Sequence, residues 1–174
     1  MTATVHIERW TGATPGSGAD ITSTTTRMKQ ADNGTIDANN PVPAITTSYS
    51  YWVSTRLNIT VAPVTLVNNL KWYSDGTSWG TGLTGNAAKA STGADAGYRQ
   101  AASAVVLSTG NHTGLDAAPV DVTTLTSGAP LTVVGSSAIT GVFGDFVVYQ
   151  LAATASALPG PMTARTITWQ YDET

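Results

Sequence analysis

At 174 residues the chain has the length of one domain that can bury a core without covalent help, and a single β-sandwich domain over 1–174 is the expectation. Only 11% of residues are charged and the net charge is −3, which excludes a phosphate-neutralising basic stripe and argues against nucleic acid as a partner. Cysteine is absent, which excludes disulfides, thiol nucleophiles and cysteine-ligated zinc.

No apolar run approaches the ~20 residues of a membrane span, and MTATVHIERW lacks the charged and apolar regions of a signal peptide. A chain made in the cytoplasm, with no membrane partner, is expected. Thirty threonines stand beside seventeen glycines and eight prolines. Threonine is β-branched and favours strands, while glycine and proline punctuate turns. Together they predict an all-β protein.

ATVHIERW, residues 3–10, alternates Val5 and Ile7 against His6, Glu8 and Trp10 and predicts a first strand. Residues 11–48 then carry Gly, Pro, Asn and Asp too often for an uninterrupted element. They predict an irregular arm, with at most a short strand over 21–28, and such stretches tend to be functional or to need a partner to order them. YSYWVSTRLNITV, residues 49–61, is the clearest strand: Tyr49, Tyr51, Val53, Leu57, Ile59 and Val61 share one parity. After Ala62-Pro63, residues 66–73 resume the alternation with Leu66, Leu70 and Trp72. Ser74-Asp75-Gly76 signals a turn, and residues 80–97 read as a long small-residue loop.

Further strands are predicted at 98–107, at 120–125 with 131–134, at 142–151 and at 162–171. Residues 142–151, VFGDFVVYQL, are apolar on both parities and predict a central strand covered on both sides. The Ala-rich run near 87–104 is helix-like, but its glycines argue against a helix. The sum is a two-sheet antiparallel β-sandwich, jelly-roll-like, with long irregular loops.

Catalytic chemistry is sparse. The two histidines, His6 and His112, lie in no motif; the first reads as a sheet-face residue and the second as a loop residue. The segment Gly16-Ser17-Gly18 lacks a nucleophile-elbow context, and no phosphate loop or dinucleotide fingerprint occurs. Asp145 sits inside an apolar strand and reads as a hydrogen-bonded residue at a Gly144 bulge. Residues 31–43, ADNGTIDANNPVP, offer oxygen ligands from Asp32, Asn33, Asp37, Asn39 and Asn40, but the calcium-loop spacing fails and a plain turn is expected. Three Asn-x-Thr triplets, at Asn33, Asn58 and Asn111, are chance matches in so threonine-rich a chain. No enzyme activity, cofactor or metal is expected.

The aromatic residues are the remaining candidates. In KWYSDGTSWGTG, Trp72 shares the parity of Leu70 and faces the core, Tyr73 points the other way, and Trp79 lies beyond the turn. Tyr73 with Trp79 either forms a stacking site or packs a loop onto the sheet edge. Trp52 and Arg56 share the polar parity of the 49–61 strand. They either stand outward as an interface anchor, for which their residue types are suited, or lie under a loop or second sheet.

The order of a DANNP turn, a Y-S-Y-W strand, R-L-N-I-T, A-P and a K-W-Y-S-D-G hairpin over residues 31–82 resembles structural proteins of tailed phages and prophages. The resemblance covers less than a third of the chain and carries no catalytic motif and no functional residue. It implies a virion component, a small β-sandwich that decorates or cements the head and binds the major capsid protein or other virion proteins. A homo-oligomer is then expected, a trimer suiting local three-fold sites, with residues 11–48 and 80–97 as contacting segments. The alternative from a different class is a carbohydrate-binding or receptor-binding fibre or tail domain, which requires exposed rings from Tyr73, Trp79 or Trp52.

Overall fold

The computed structural model describes residues 2–35, 37–91, 97–100 and 104–174. Its strands are β1 (Thr4–Thr11), β2 (Ser17–Asp20), β3 (Ser48–Tyr49), β4 (Val53–Val61), β5 (Val67–Ser74), β6 (Leu83–Ala90), β7 (Val120–Asp121), β8 (Leu131–Val133), β9 (Gly141–Ala153) and β10 (Ile167–Glu173), with a 3₁₀ turn at Val122–Thr124. The described residues contain no α-helix.

The strands form two antiparallel sheets that pack face to face. The larger, seven-stranded sheet runs β2-β1-β4-β9-β6-β7 with β3 also on β9, and the smaller runs β10-β5-β8. From β4 onward the chain passes repeatedly between the layers, a jelly-roll-like alternation. Val53, Leu57 and Ile59 of β4 and Val147, Tyr149 and Leu151 of β9 meet Val67, Leu70 and Trp72 of β5 in the main core. Three strands do not cover the larger sheet, and Met28, Val42 and Met162 from irregular segments pack against the same core. The arm thus completes a layer that lacks strands.

Bulges set which side chains face inward. On β5, Val67 and Leu70 are both buried although three apart, because Asn69 at φ +52° inserts an extra residue opposite β10. The buried set is therefore Val67, Leu70 and Trp72, and Leu66 is only half-buried. On β9, Gly144–Phe146 stand opposite Arg56 alone, since Thr55 faces Val147 and Leu57 faces Phe143. Gly144 takes φ +72° there, and the Asp145 amide leaves the ladder to donate to the Val134 carbonyl at 2.8 Å.

Several sequence expectations change. Residues 80–97 are not one loop: 83–90 form β6, paired along its length with β9. Alanine and glycine lack strand propensity, yet here they fit because Ala87 and Ala90 are fully buried. Residues 98–107 form no strand in their described part; Tyr98 and Leu107 instead pack on the outer face of the larger sheet. Residues 92–96 and 101–103, within the predicted loop, helix-like run and strand, lie outside the described residues. The short strand expected over 21–28 is absent, and β2 lies just before it at 17–20.

The 49–61 strand is interrupted at residues 50–52. Ser50 Oγ accepts from the Leu151 amide at 3.1 Å and donates to the Tyr51 carbonyl, so a side chain replaces one rung of the ladder. The Tyr51 amide turns to the carbonyl of Lys29 in the arm at 2.9 Å.

Candidate functional site

The four aromatic and cationic candidates do not converge. Trp79, 3% exposed, lies in the main core with its ring against Gly85 of β6. Tyr73 sits on β5 between buried Trp72 and Ser74, half-buried on the opposite face. The two belong to different surfaces of the sandwich, so they form no common stacking platform.

Trp52 is only 6% exposed, which decides against the alternative in which it stands outward as an anchor. It belongs to a second core on the outer face of the larger sheet, with Ala90, Tyr98, Leu107, Phe146 and Val148. The covering segment is pinned by polar contacts. Trp52 Nε1 donates to the Val105 carbonyl at 3.2 Å, Tyr98 Oη to the Gly12 carbonyl at 2.7 Å, and the Leu107 amide to Gln150 Oε1 at 2.6 Å. Trp10 meets Phe146 edge-on at 5.2 Å and His112 lies 5.0 Å from Trp52. Of the two alternatives left open by parity, the covering loop is what the fold adopts.

Arg56 serves the β9 bulge. Its Nε donates to the Gly144 carbonyl at 2.7 Å, and its guanidinium lies 5.2 Å from the centre of the Phe146 ring, a cation–π contact. A bulge frees a carbonyl from the ladder, and the arginine one strand away satisfies it. Arg56 is half-buried and engaged within its own chain rather than held out beside Trp52.

The histidines are far apart in role. His6 lies 3.0 Å from Asp20 across the β1–β2 hairpin, at the surface. His112 is fully buried, and burial pushes its pKa down to about 4, with the Arg99 cation adding to the effect. Asp32 and Asp37 face different partners: the first accepts from the Gly12 amide and Gln100 Nε2, the second from Lys29 Nζ and the Asn39 amide. Among the described residues no group of three or more histidine or acidic side chains is placed to hold a metal ion.

What these charged groups do is tie down the arm. Lys29, 3% exposed, donates to the Thr35 carbonyl at 2.9 Å and pairs with Asp37 at 3.1 Å. Arg9 of β1 donates to Thr26 Oγ1 at 2.8 Å and to the Arg27 carbonyl at 3.1 Å. Gln30 Nε2 reaches the Tyr49 carbonyl. Tethered at these points, the arm still holds Ile45 at 77% exposure.

Two clefts among the described residues bear on these side chains. One, of about 200 Å³, lies beside Trp79 with Ser78, Thr84, Asp121 and Thr123. The other, of about 490 Å³, lies between the β1–β2 hairpin and the arm, with Arg9, Asp20, Thr24, Thr25 and Thr35 around it. Sequence reasoning passed over Arg9, whose parity with Val5 and Ile7 was the available signal that it points inward. No protein-family model, curated protein or solved structure matches this chain.

Proposed function

We propose that the protein is a virion structural component, a capsid decoration or cement protein that binds the head lattice of a tailed phage non-covalently as a homo-oligomer, with a trimer favoured. It is made in the host cytoplasm and ends in the virion, against the major capsid protein or a neighbouring virion protein. The observation that carries this reading is where the apolar surface lies. Among the described residues, the four most exposed large apolar side chains, Leu158 (83%), Ile45 (77%), Val64 (74%) and Ile139 (72%), sit on connections rather than on sheet faces. Connections that are tied at their bases and carry apolar tips suit adhesion to a neighbouring subunit, which would bury those tips and stabilise what it orders.

The resemblance of residues 31–82 to phage structural proteins supports the same reading and takes in the later part of the arm, residues 31–48. A carbohydrate-binding module receives less support, because Trp52 and Trp79 are both buried and stacking on sugars needs accessible rings.

Purified particles, resolved by gel and quantified by mass spectrometry, provide the test. Stoichiometric presence together with a trimeric mass by light scattering is the expected result. Consistent absence from purified virions would end the proposal.

A further inference from the structure

Of the asparagines in the chain, Asn33 alone is followed by glycine. An asparagine is chemically labile because the backbone nitrogen of the next residue can attack its side-chain Cγ and close a five-membered ring. Three features favour the attack: a next residue without a Cβ, a nitrogen not engaged in a hydrogen bond, and a donor on the side-chain oxygen, where negative charge gathers as the bond forms. Asn33 has all three. A Cβ placed on Gly34 would meet nothing within 4 Å, and the Gly34 amide has no acceptor among the described residues. Asn33 Oδ1 accepts from the Thr35 amide at 3.1 Å, which draws electrons from Cγ and curls the side chain over Gly34. Both residues are exposed, so water reaches them as base and as reactant.

The other asparagines lack one feature or more. Asn58, Asn68, Asn69 and Asn86 lie in β4, β5 and β6, each before a residue with a Cβ and on a backbone held by its neighbours. Asn40 precedes Pro41, which has no N–H, and Asn39 precedes Asn40, whose Cβ crowds the approach. After Asn111 the attacking nitrogen would be the His112 amide, which donates to the Ser108 carbonyl at 2.8 Å.

We propose that Asn33 is a site of spontaneous covalent modification, converting through a cyclic imide to isoaspartate, and that the product loosens the arm. The bond from the Gly34 nitrogen to Asn33 Cγ forms as the Cγ–Nδ2 bond breaks, and the amide proton passes through water to the departing ammonia. Water then opens the ring at either carbonyl carbon. Opening at Cγ leaves aspartate, whereas opening at the backbone carbonyl routes the chain through the side chain and lengthens it by one carbon. Water is the only co-reactant. The lengthened stretch adjoins Thr35, whose carbonyl accepts from Lys29 Nζ at 2.9 Å while Asp37 pairs with the same ammonium at 3.1 Å. A shifted Thr35 carbonyl weakens that tether. This inference does not rest on the lattice-binding reading.

The test is to age the full chain in mildly alkaline buffer at physiological temperature and to map its peptides by mass spectrometry, scoring isoaspartate with an isoaspartyl-specific methyltransferase. Asn33 is expected to convert at least about tenfold faster than Asn39, Asn58 or Asn111, and faster as pH rises. Gly34→Ala, whose Cβ has free space, should fold as the native chain does and convert about tenfold more slowly or less. Amide exchange over 29–40 should accelerate in the aged chain and stay near the native rate in Asn33→Asp, which adds the charge without the extra carbon. Conversion of Asn33 no faster than that of Asn39, or no slowing in Gly34→Ala, would overturn the site. Unchanged exchange in the aged chain, or equal acceleration in Asn33→Asp, would overturn the lengthened backbone as what loosens the arm.

Discussion

The imidazole of His112 lies 5.0 Å from the indole of Trp52 at an inclination of 53°, and neither of its ring nitrogens has a hydrogen-bond partner among the described residues. Fully buried, it is a neutral apolar ring in effect. Its folded pKa, near 4 against an ordinary 6.5, means that the unfolded chain takes up the proton first as pH falls. Stability is therefore complete above about pH 6.5 and declines down to about pH 4, below which both states are protonated and the loss stops growing. The total is on the order of 3 kcal/mol at ~1.4 kcal/mol per pH unit. The carboxylates with depressed values, Asp20, Asp37 and Asp75, lose their contribution only below their ordinary value near 3.8, so the two windows separate. Denaturant titrations between pH 7 and 5 should show the slope in the native chain and a clearly smaller one in His112→Phe.

Trp79 rests on Gly85, where an added Cβ would stand 2.7 Å from Cε2 and 2.8 Å from Cζ2 of the indole. That is well inside van der Waals contact, and the ring cannot swing away because Trp79 is itself part of the main core. Gly85→Ala should lower stability by about 1–3 kcal/mol through overpacking, although alanine ordinarily suits a strand better than glycine does. Urea denaturation measures it, and a neutral or stabilising result would mean that the Trp79 ring is not held against β6.

The fold class was legible because the signals that specify it are strong and local. Residues 53–61 and 142–151 alternate or run apolar as sheet strands do, and they became β4 and β9, the centre of the larger sheet. What was not legible depended on long-range neighbours. β6 is written in alanine and glycine, which read as loop; only the cover of Trp79 and the pairing with β9 make small residues the right choice. Parity alone could not decide whether Trp52 faced solvent, since the segment that buries it lies more than fifty residues away at Val105 and His112. Asn69 shifted the register of β5 through one left-handed residue, a change that apolar spacing does not announce. The Arg9 cleft was missed for the same reason: its other wall is the arm.

Lys29 is buried and takes the Thr35 carbonyl and the Asp37 carboxylate as partners. The Lys29 contact, with the Asn39 amide, keeps the Asp37 pKa below the ordinary carboxylate range. Asp37→Asn leaves the ammonium without its counter-charge, and a buried cation stripped of its partner is destabilising. Because the pair tethers only the arm, the effect should be local: faster amide hydrogen exchange over 29–40 and faster proteolytic cleavage there. Exchange in β4 and β9 should hardly change. Equal acceleration in the sheet would show that the arm and the sandwich open together.

Ile45 and Leu158 separate adhesion from folding. Both are mostly exposed, at 77% and 83%, so Ile45→Asp and Leu158→Asp should each change stability by no more than about 0.5 kcal/mol. In a lattice contact the same changes place a charge in a buried apolar patch, where a desolvated unpaired carboxylate is strongly disfavoured. Each variant should then bind particles stripped of the native protein at least about tenfold more weakly, a loss of ~1.4 kcal/mol or more. Tyr73→Ala, on the outer face of the smaller sheet and away from the connections, serves as the comparison and should bind as the native chain does. Sedimentation of labelled protein with stripped particles reads both effects. Weakening by Tyr73→Ala with no change in the two aspartate variants would move the contact from the loops to that sheet face.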